Sequence, residues 1–170
     1  FSDAVVAIAI TLIALPLIDS ARDAKTGLQF FWTNRFALTA AGYSFLVVGL
    51  TWRNHAGVHS RARGYTRLAF WLELMWLAAV VFVPVATVLV FSAYDHVSLA
   101  VYVANLLVNS LAIRLQVVVL ERAQVMDHHE ENFWQRWRFV LVFGLVFVLV
   151  LVAPGVGGWW FWLLLALIPG

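Results

Sequence analysis

The residue types that most invite chemistry stand together at Asp127-His128-His129-Glu130-Glu131. His128 and Glu131 are three positions apart, which puts two side chains on one face of a helix. A metal site needs a defined set of ligands, and none is visible there, so a solvated polar segment explains the run at least as well. Elsewhere there is no nucleophile–base pair, no glycine-rich phosphate loop and no zinc-binding HExxH. The chain has no cysteine, which removes thiol chemistry and disulfides. It does not read as an enzyme, and neither a metal nor a cofactor is expected.

A different kind of candidate lies in Phe1 to Leu17, FSDAVVAIAITLIALPL. Projected at about 100° per residue, Ile8, Leu12 and Leu15 fall on one line with Thr11 on its flank, and Ser2 and Asp3 project elsewhere. Spacing alone makes such a line a lipid-facing or packing stripe. Later in the chain Ser98, Asn105, Asn109 and Gln116 project within about 40° of one another. That face either makes interhelical hydrogen bonds or forms the hydrophilic wall of a vestibule. Glu73 is expected at a membrane interface, paired with Arg67 or Arg136.

The elements that position these residues follow from composition. The chain has 170 residues, of which 64% are hydrophobic, and its mean hydropathy is +0.90. Such a chain has lipid as its solvent. A net charge of +2, with no basic run interleaved with aromatics, argues against nucleic acid as a partner. Apolar runs divide it into six membrane helices at about 1–18, 36–54, 68–91, 97–120, 137–152 and 159–170. The last reaches only about 15 Å, and the first begins within an apolar run, so both ends are expected to be truncated. A secretory signal peptide fits the start poorly, because Asp3 stands where a basic lead-in belongs.

Between these runs, Phe30-Phe31-Trp32 reads as an interfacial anchor, and Pro84 as a kink in the third helix. Arginine gathers in the connectors after the second and fourth helices, at Arg61, Arg63, Arg67, Arg122 and Arg136 among others. By the positive-inside rule those connectors, and both termini, are cytoplasmic. There is no TVGYG-like filter segment and no arginine ladder, so a channel built from these residues would need side chains to form its constriction.

The pattern FSDAVxAIxxTLxxLPL, carried by Phe1, Ser2, Asp3, Ala4, Ile8, Thr11, Leu15 and Pro16, resembles the first helix of the TMEM175 family of potassium channels, lysosomal in animals and plasma-membrane in prokaryotes. The family's motif also has an arginine four residues before the phenylalanine, a position that lies before Phe1. Trp52-Arg53-Asn54-His55 is similar to its W-x-x-H, and Phe82-Val83-Pro84 to its F-x-P. The resemblance spans residues 1–91; beyond them it rests on the number of helices.

That resemblance carries several expectations. The fold is an all-α membrane protein of six transmembrane helices, a single pore domain over residues 1–170. In a homotetramer the first helices converge on a central axis. Ile8, with Leu12 and Leu15, forms the hydrophobic constriction, and Thr11 a hydroxyl layer associated with selectivity. Ser2, Asp3, Trp52 and His55 form a polar cluster that supports the pore. The permeant ion is potassium, the remaining partners are other monovalent cations and the lipid bilayer, and the location is the plasma membrane. A bare methyl ring replaces none of an ion's hydration, so it favours the cation that sheds water most readily. Two other classes stay open: a secondary transporter, for which Pro84 and the polar face of the fourth helix are the hints, and a non-transporting membrane scaffold.

Overall fold

In lipid every backbone N–H and C=O must find its partner inside the protein, and a helix does this within one segment. The computed structural model describes residues 1–93, 95–127 and 132–153, and every regular element among them is helical. They are α1 (Ser2–Arg22), α2 (Gly27–Thr33), α3 (Arg35–Arg61), α4 (Arg67–Ala93), α5 (His96–Arg122) and α6 (Phe133–Val152). Four of the described helices are long and apolar enough to cross a membrane: Ser2–Arg22, Arg67–Val90, His96–Arg122 and Phe133–Val152. The chain is therefore a multi-pass, all-helical membrane protein. α3 has the length, at 27 residues, but its Arg, His, Asn and small residues make it more polar than those four. The span expected at 159–170 lies outside the described residues, as do His128 to Glu131.

Helix boundaries differ from the sequence expectation where local capping decides them. α2 is an additional short helix, started by the Thr26 hydroxyl, which accepts from the Gln29 N–H at 3.2 Å. α6 begins at Phe133, about one turn before the expected Trp137, because Asn132 and Gln135 form a reciprocal capping box. α3 continues to Arg61 instead of stopping at Asn54. Gly57 is a weak helix former, at roughly 1 kcal/mol relative to Ala, yet tertiary burial just beyond it prevails. Val58 is buried against Ala69 of α4 and Val117 and Leu120 of α5.

Neighbouring helices alternate in direction, so the start of α1, the end of α3, the start of α4, the end of α5 and the start of α6 share one end of the bundle. At that end the backbone N–H of Arg63 donates to the carbonyl of Val125 at 2.7 Å, joining two connectors. α4 and α5 make the central pair, α1 lies against α3 and α4, and α6 packs on α5. Val6, Ala9 and Ile13 of α1 meet Val48 of α3, Trp76, Leu77, Val80 and Val83 of α4 and Ala112 of α5. Toward the other end, Val47, Ala86, Tyr102, Leu106, Phe143, Val146 and Val150 form a second cluster.

Most of the polar side chains that this bundle buries find a partner in it, as a water-poor interior favours. Thr87 donates to the Val83 carbonyl at 2.7 Å, so its oxygen accepts from Ser44 at 2.8 Å, and Tyr102 in turn donates to Ser44 at 3.2 Å. The chain crosses α5, α3 and α4 and ends next to Pro84. The polar face of α5 is turned inward: Ser98, Asn105, Asn109 and Gln116 are all buried. Asn105 Nδ2 donates to the Ala79 carbonyl at 3.0 Å, and Trp76 Nε1 donates to Asn109 Oδ1 at 3.1 Å. Of the two readings open for that face, the interhelical one describes its contacts.

Candidate functional site

Two features of α1 define the site, its start and its outward face. At the start, the Ser2 hydroxyl donates to Glu73 Oε1 at 2.5 Å. The other carboxylate oxygen, Oε2, accepts from His55 Nε2 at 2.7 Å and from Gln116 Nε2 at 3.1 Å. One carboxylate thus ties α1, α3 and α5 to α4. Asp3 points the other way and accepts from the Trp52 indole N–H at 2.7 Å, on the exposed side of α3. Ser2, Asp3, Trp52 and His55 accordingly divide into two contacts that share the first turn of α1. His55 and Asp3 do not touch directly; Glu73 and the α1 backbone lie between them.

Glu73 is the residue that sequence reasoning misplaced. It is 7% exposed and bound to three other helices, where an interfacial pairing with Arg67 or Arg136 was expected. Depth along α4 was read correctly as near the helix start, but its direction was not: it faces the bundle axis. Arg136 donates instead to Glu121 at 2.9 Å, and Arg67 is exposed.

Trp76 holds the imidazole of His55 in place. The two rings stack with centroids 3.7 Å apart and planes 3° from parallel. One turn along α3, His59 Nδ1 donates to the His55 carbonyl at 3.0 Å. A carbonyl only accepts, so this nitrogen carries the proton and Nε2 of a neutral His59 keeps its lone pair. That Nε2 accepts from the Tyr65 hydroxyl at 2.9 Å and lies 3.5 Å from Glu73 Oε2. Partial burial, and then the negative charge of Glu73, push the Tyr65 phenol up to about 12, so it stays a donor. The His55, His59 and Glu73 ligand atoms lie within 4.8 Å of one another. The sequence carried a signal for this group, His55-Ala-Gly-Val-His59, an i, i+4 pair. It was masked by ending the helix at Asn54.

Along the rest of α1 the two faces differ sharply. Val6, Ala9 and Ile13 are 3%, 1% and 6% exposed, whereas Ile8, Leu12 and Leu15 are 60%, 41% and 50% exposed. Thr11 lies on the exposed face, and its hydroxyl donates back to the Ile8 carbonyl at 2.8 Å. Ile10 packs against the α1–α4 cluster. At the far end of the polar run, Asp127 accepts from Arg63 at 2.5 Å, with both side chains largely exposed.

Comparison with known proteins gives two matches. Residues 1–84 match the family model described as endosomal/lysosomal potassium channel TMEM175. A protein of Streptomyces collinus (strain DSM 40733 / Tue 365), named Potassium channel B446_29190, is 34% identical over 124 residues, covering 69% of this chain. The chain spans 59% of that relative's length. No solved structure matches. Both names describe potassium channels, and neither describes an enzyme. Residues 1–84, from α1 to Pro84 of α4, are therefore a segment of the TMEM175 family type.

Proposed function

We propose that this chain is the subunit of a homotetrameric, potassium-selective cation channel of the plasma membrane, with both termini cytoplasmic. In this reading residues 1–170 form one six-helix pore domain, α3 spans the membrane, and the four α1 helices surround a central axis. One observation carries the reading: α1 buries Val6, Ala9 and Ile13 in its own bundle and leaves Ile8, Thr11, Leu12 and Leu15 uncovered. The uncovered line is the one the family resemblance assigns to the pore. A helix fastened at its start through Ser2 and Asp3, and along one side by packing, can hold its other side at a fixed distance from an axis.

The side chains on that line differ in what they offer an ion. Ile8, Leu12 and Leu15 have only methyl and methylene groups, so a ring of them excludes water and coordinates nothing. Potassium sheds water at lower cost than sodium, which gives a preference without a binding site. Thr11 differs because its proton is committed to the Ile8 carbonyl. Its oxygen lone pairs are thus the groups turned outward, and these suit a cation.

Purified protein in liposomes under opposed potassium and sodium gradients tests this. Electrogenic flux with a reversal potential set by potassium supports the channel. Saturable, coupled exchange would make the protein a secondary transporter, and no flux would leave a scaffold. Ile8→Asn brings an amide to the constriction, where it replaces part of an ion's water shell, and sodium gains most. Conductance should rise and the potassium preference fall. Ile8→Leu should change little, and Thr11→Val should lower flux or selectivity without the rise. If Ile10→Asn shifts the ion ratio and Ile8→Asn does not, the wrong face of α1 has been assigned to the pore.

A further inference from the structure

We propose that His55, His59 and Glu73 form a binding site for a first-row divalent transition metal of the zinc type, at the end of the bundle where α1 begins. The donor set is two imidazole nitrogens and one carboxylate oxygen, borderline ligands that suit zinc better than the all-oxygen preference of magnesium or calcium. Two ligands at about 2.05 Å from a tetrahedral ion stand about 3.3 Å apart. Glu73 Oε2 lies 2.7 Å from His55 Nε2 and 3.5 Å from His59 Nε2, and all three ligand atoms lie within 4.8 Å of one another, so binding draws the two imidazoles together around the carboxylate oxygen.

Two features go beyond proximity. His55 and His59 are one turn apart on α3, facing a carboxylate on α4, so the ligands come from two helices that the packing already fixes. His59 Nδ1–H is held by the His55 carbonyl, which turns Nε2 toward Glu73, where a metal would take the place of the Tyr65 hydroxyl proton; metal-bound histidines are oriented in the same way. His59 Nε2 also stands 3.5 Å from Glu73 Oε2, close to the spacing of two ligands on one tetrahedral ion. Binding moves the His55 proton from Nε2 to Nδ1 by exchange with water. The dication and one carboxylate leave a net charge of +1, and a water or the Tyr65 hydroxyl, 2.9 Å from His59 Nε2, is at hand for a fourth position. His59 is 28% exposed at its side chain, which gives an entry path.

The site also reaches α1. Glu73 binds the metal through Oε2 while Oε1 keeps the Ser2 hydroxyl. An occupied site therefore stiffens the joint that fastens α1 to the bundle, whatever passes along the other face of that helix.

The experiment is zinc titration of the purified full chain in detergent micelles against a chromophoric competitor. It uses a His128→Ala/His129→Ala background, so that the histidines of the acidic run contribute nothing. One zinc per chain is expected, with no competition from millimolar magnesium. Loss of an outer-shell partner alone weakens metal binding by roughly 10–100-fold, so His59→Ala should weaken it at least that much. Zinc-edge X-ray absorption on the same background needs no variant at the site and should find two imidazoles around the ion. Saturable binding unchanged by His59→Ala, no stoichiometric zinc, or a shell without imidazole would each overturn the assignment.

Discussion

Replacing Glu73 with alanine withdraws one acceptor from three donors at once. The Ser2 hydroxyl at 2.5 Å, His55 Nε2 at 2.7 Å and Gln116 Nε2 at 3.1 Å all lose their partner. With Glu73 only 7% exposed, bulk water does not replace it freely. Each stranded buried donor costs about 1–3 kcal/mol. Removing the carboxylate also removes its own desolvation cost, so the three penalties do not simply add, and the net loss should be about 3–5 kcal/mol.

Glutamine at the same position should behave differently. Its amide nitrogen can turn toward Ser2, whose oxygen then accepts, while its carbonyl stays with His55 and Gln116. All three contacts survive as neutral hydrogen bonds. Losing charge assistance costs about 1 kcal/mol for each bond, which the cheaper burial of an amide largely offsets. The net change should be within about 1.5 kcal/mol.

The assay is thermal unfolding of the purified chain in detergent. At about 2–4 °C per kcal/mol for a chain of this size, Glu73→Ala should melt about 6–20 °C below wild type and Glu73→Gln less than about 6 °C below. A Glu73→Ala protein that melts within a degree or two of wild type would refute the reasoning. So would a glutamine variant as damaged as the alanine one, because charge rather than stranded donors would then govern the site.

Ser2→Ala and His55→Ala remove partners of the same carboxylate, so their stability losses should be non-additive by about 0.5–3 kcal/mol. Asp3→Ala and His55→Ala, which act through separate contacts, should add, and strict additivity for the first pair would separate Ser2 from the Glu73 network. Asp95 caps α5, and the Ser98 backbone N–H at 2.6 Å holds its carboxyl below the usual carboxylate range. A depressed acid stabilises above its unfolded pKa, so the melting-temperature gap between wild type and Asp95→Ala should be constant at neutral pH. It should close as the pH falls below the ordinary value of 3.8, and a gap that widens there would contradict the cap. Single cysteines in the Arg61–Gly64 connector should react only from the cytoplasm, and one at Asp95 only from outside. Labelling of both from one side would remove the alternating topology.

How much of this was legible in the sequence varies from residue to residue. Composition alone determined a helical membrane protein, because lipid leaves an apolar chain no other way to pair its backbone. Periodicity separated the two faces of α1: the line through Ile8, Leu12 and Leu15 is the uncovered one, and Ile10 lies on the packed side. The FSD start and W-x-x-H named Ser2, Asp3, Trp52 and His55 as one cluster, whereas the contacts run separately, Asp3 with Trp52 and Ser2 with His55 through Glu73.

Other features depended on how helices pack. α3 passes through Gly57 because Val58 is buried on α4 and α5, and no local propensity encodes that gain. The extra turns put His59 on the same helix face as His55. Glu73 lies at the depth its position implies, yet whether a carboxylate near a helix start faces headgroups or neighbours depends on the rotation of α4 about its axis. That rotation is set by Trp76, Leu77, Val80 and Val83 packing against α1 and α3, contacts between residues far apart in the chain. The packing of α5 against α4 likewise turns its own polar face inward. A sequence specifies which side chains share a face; only the packed helices decide what that face meets, because burial and hydrogen bonding are properties of the pair and not of either strip alone.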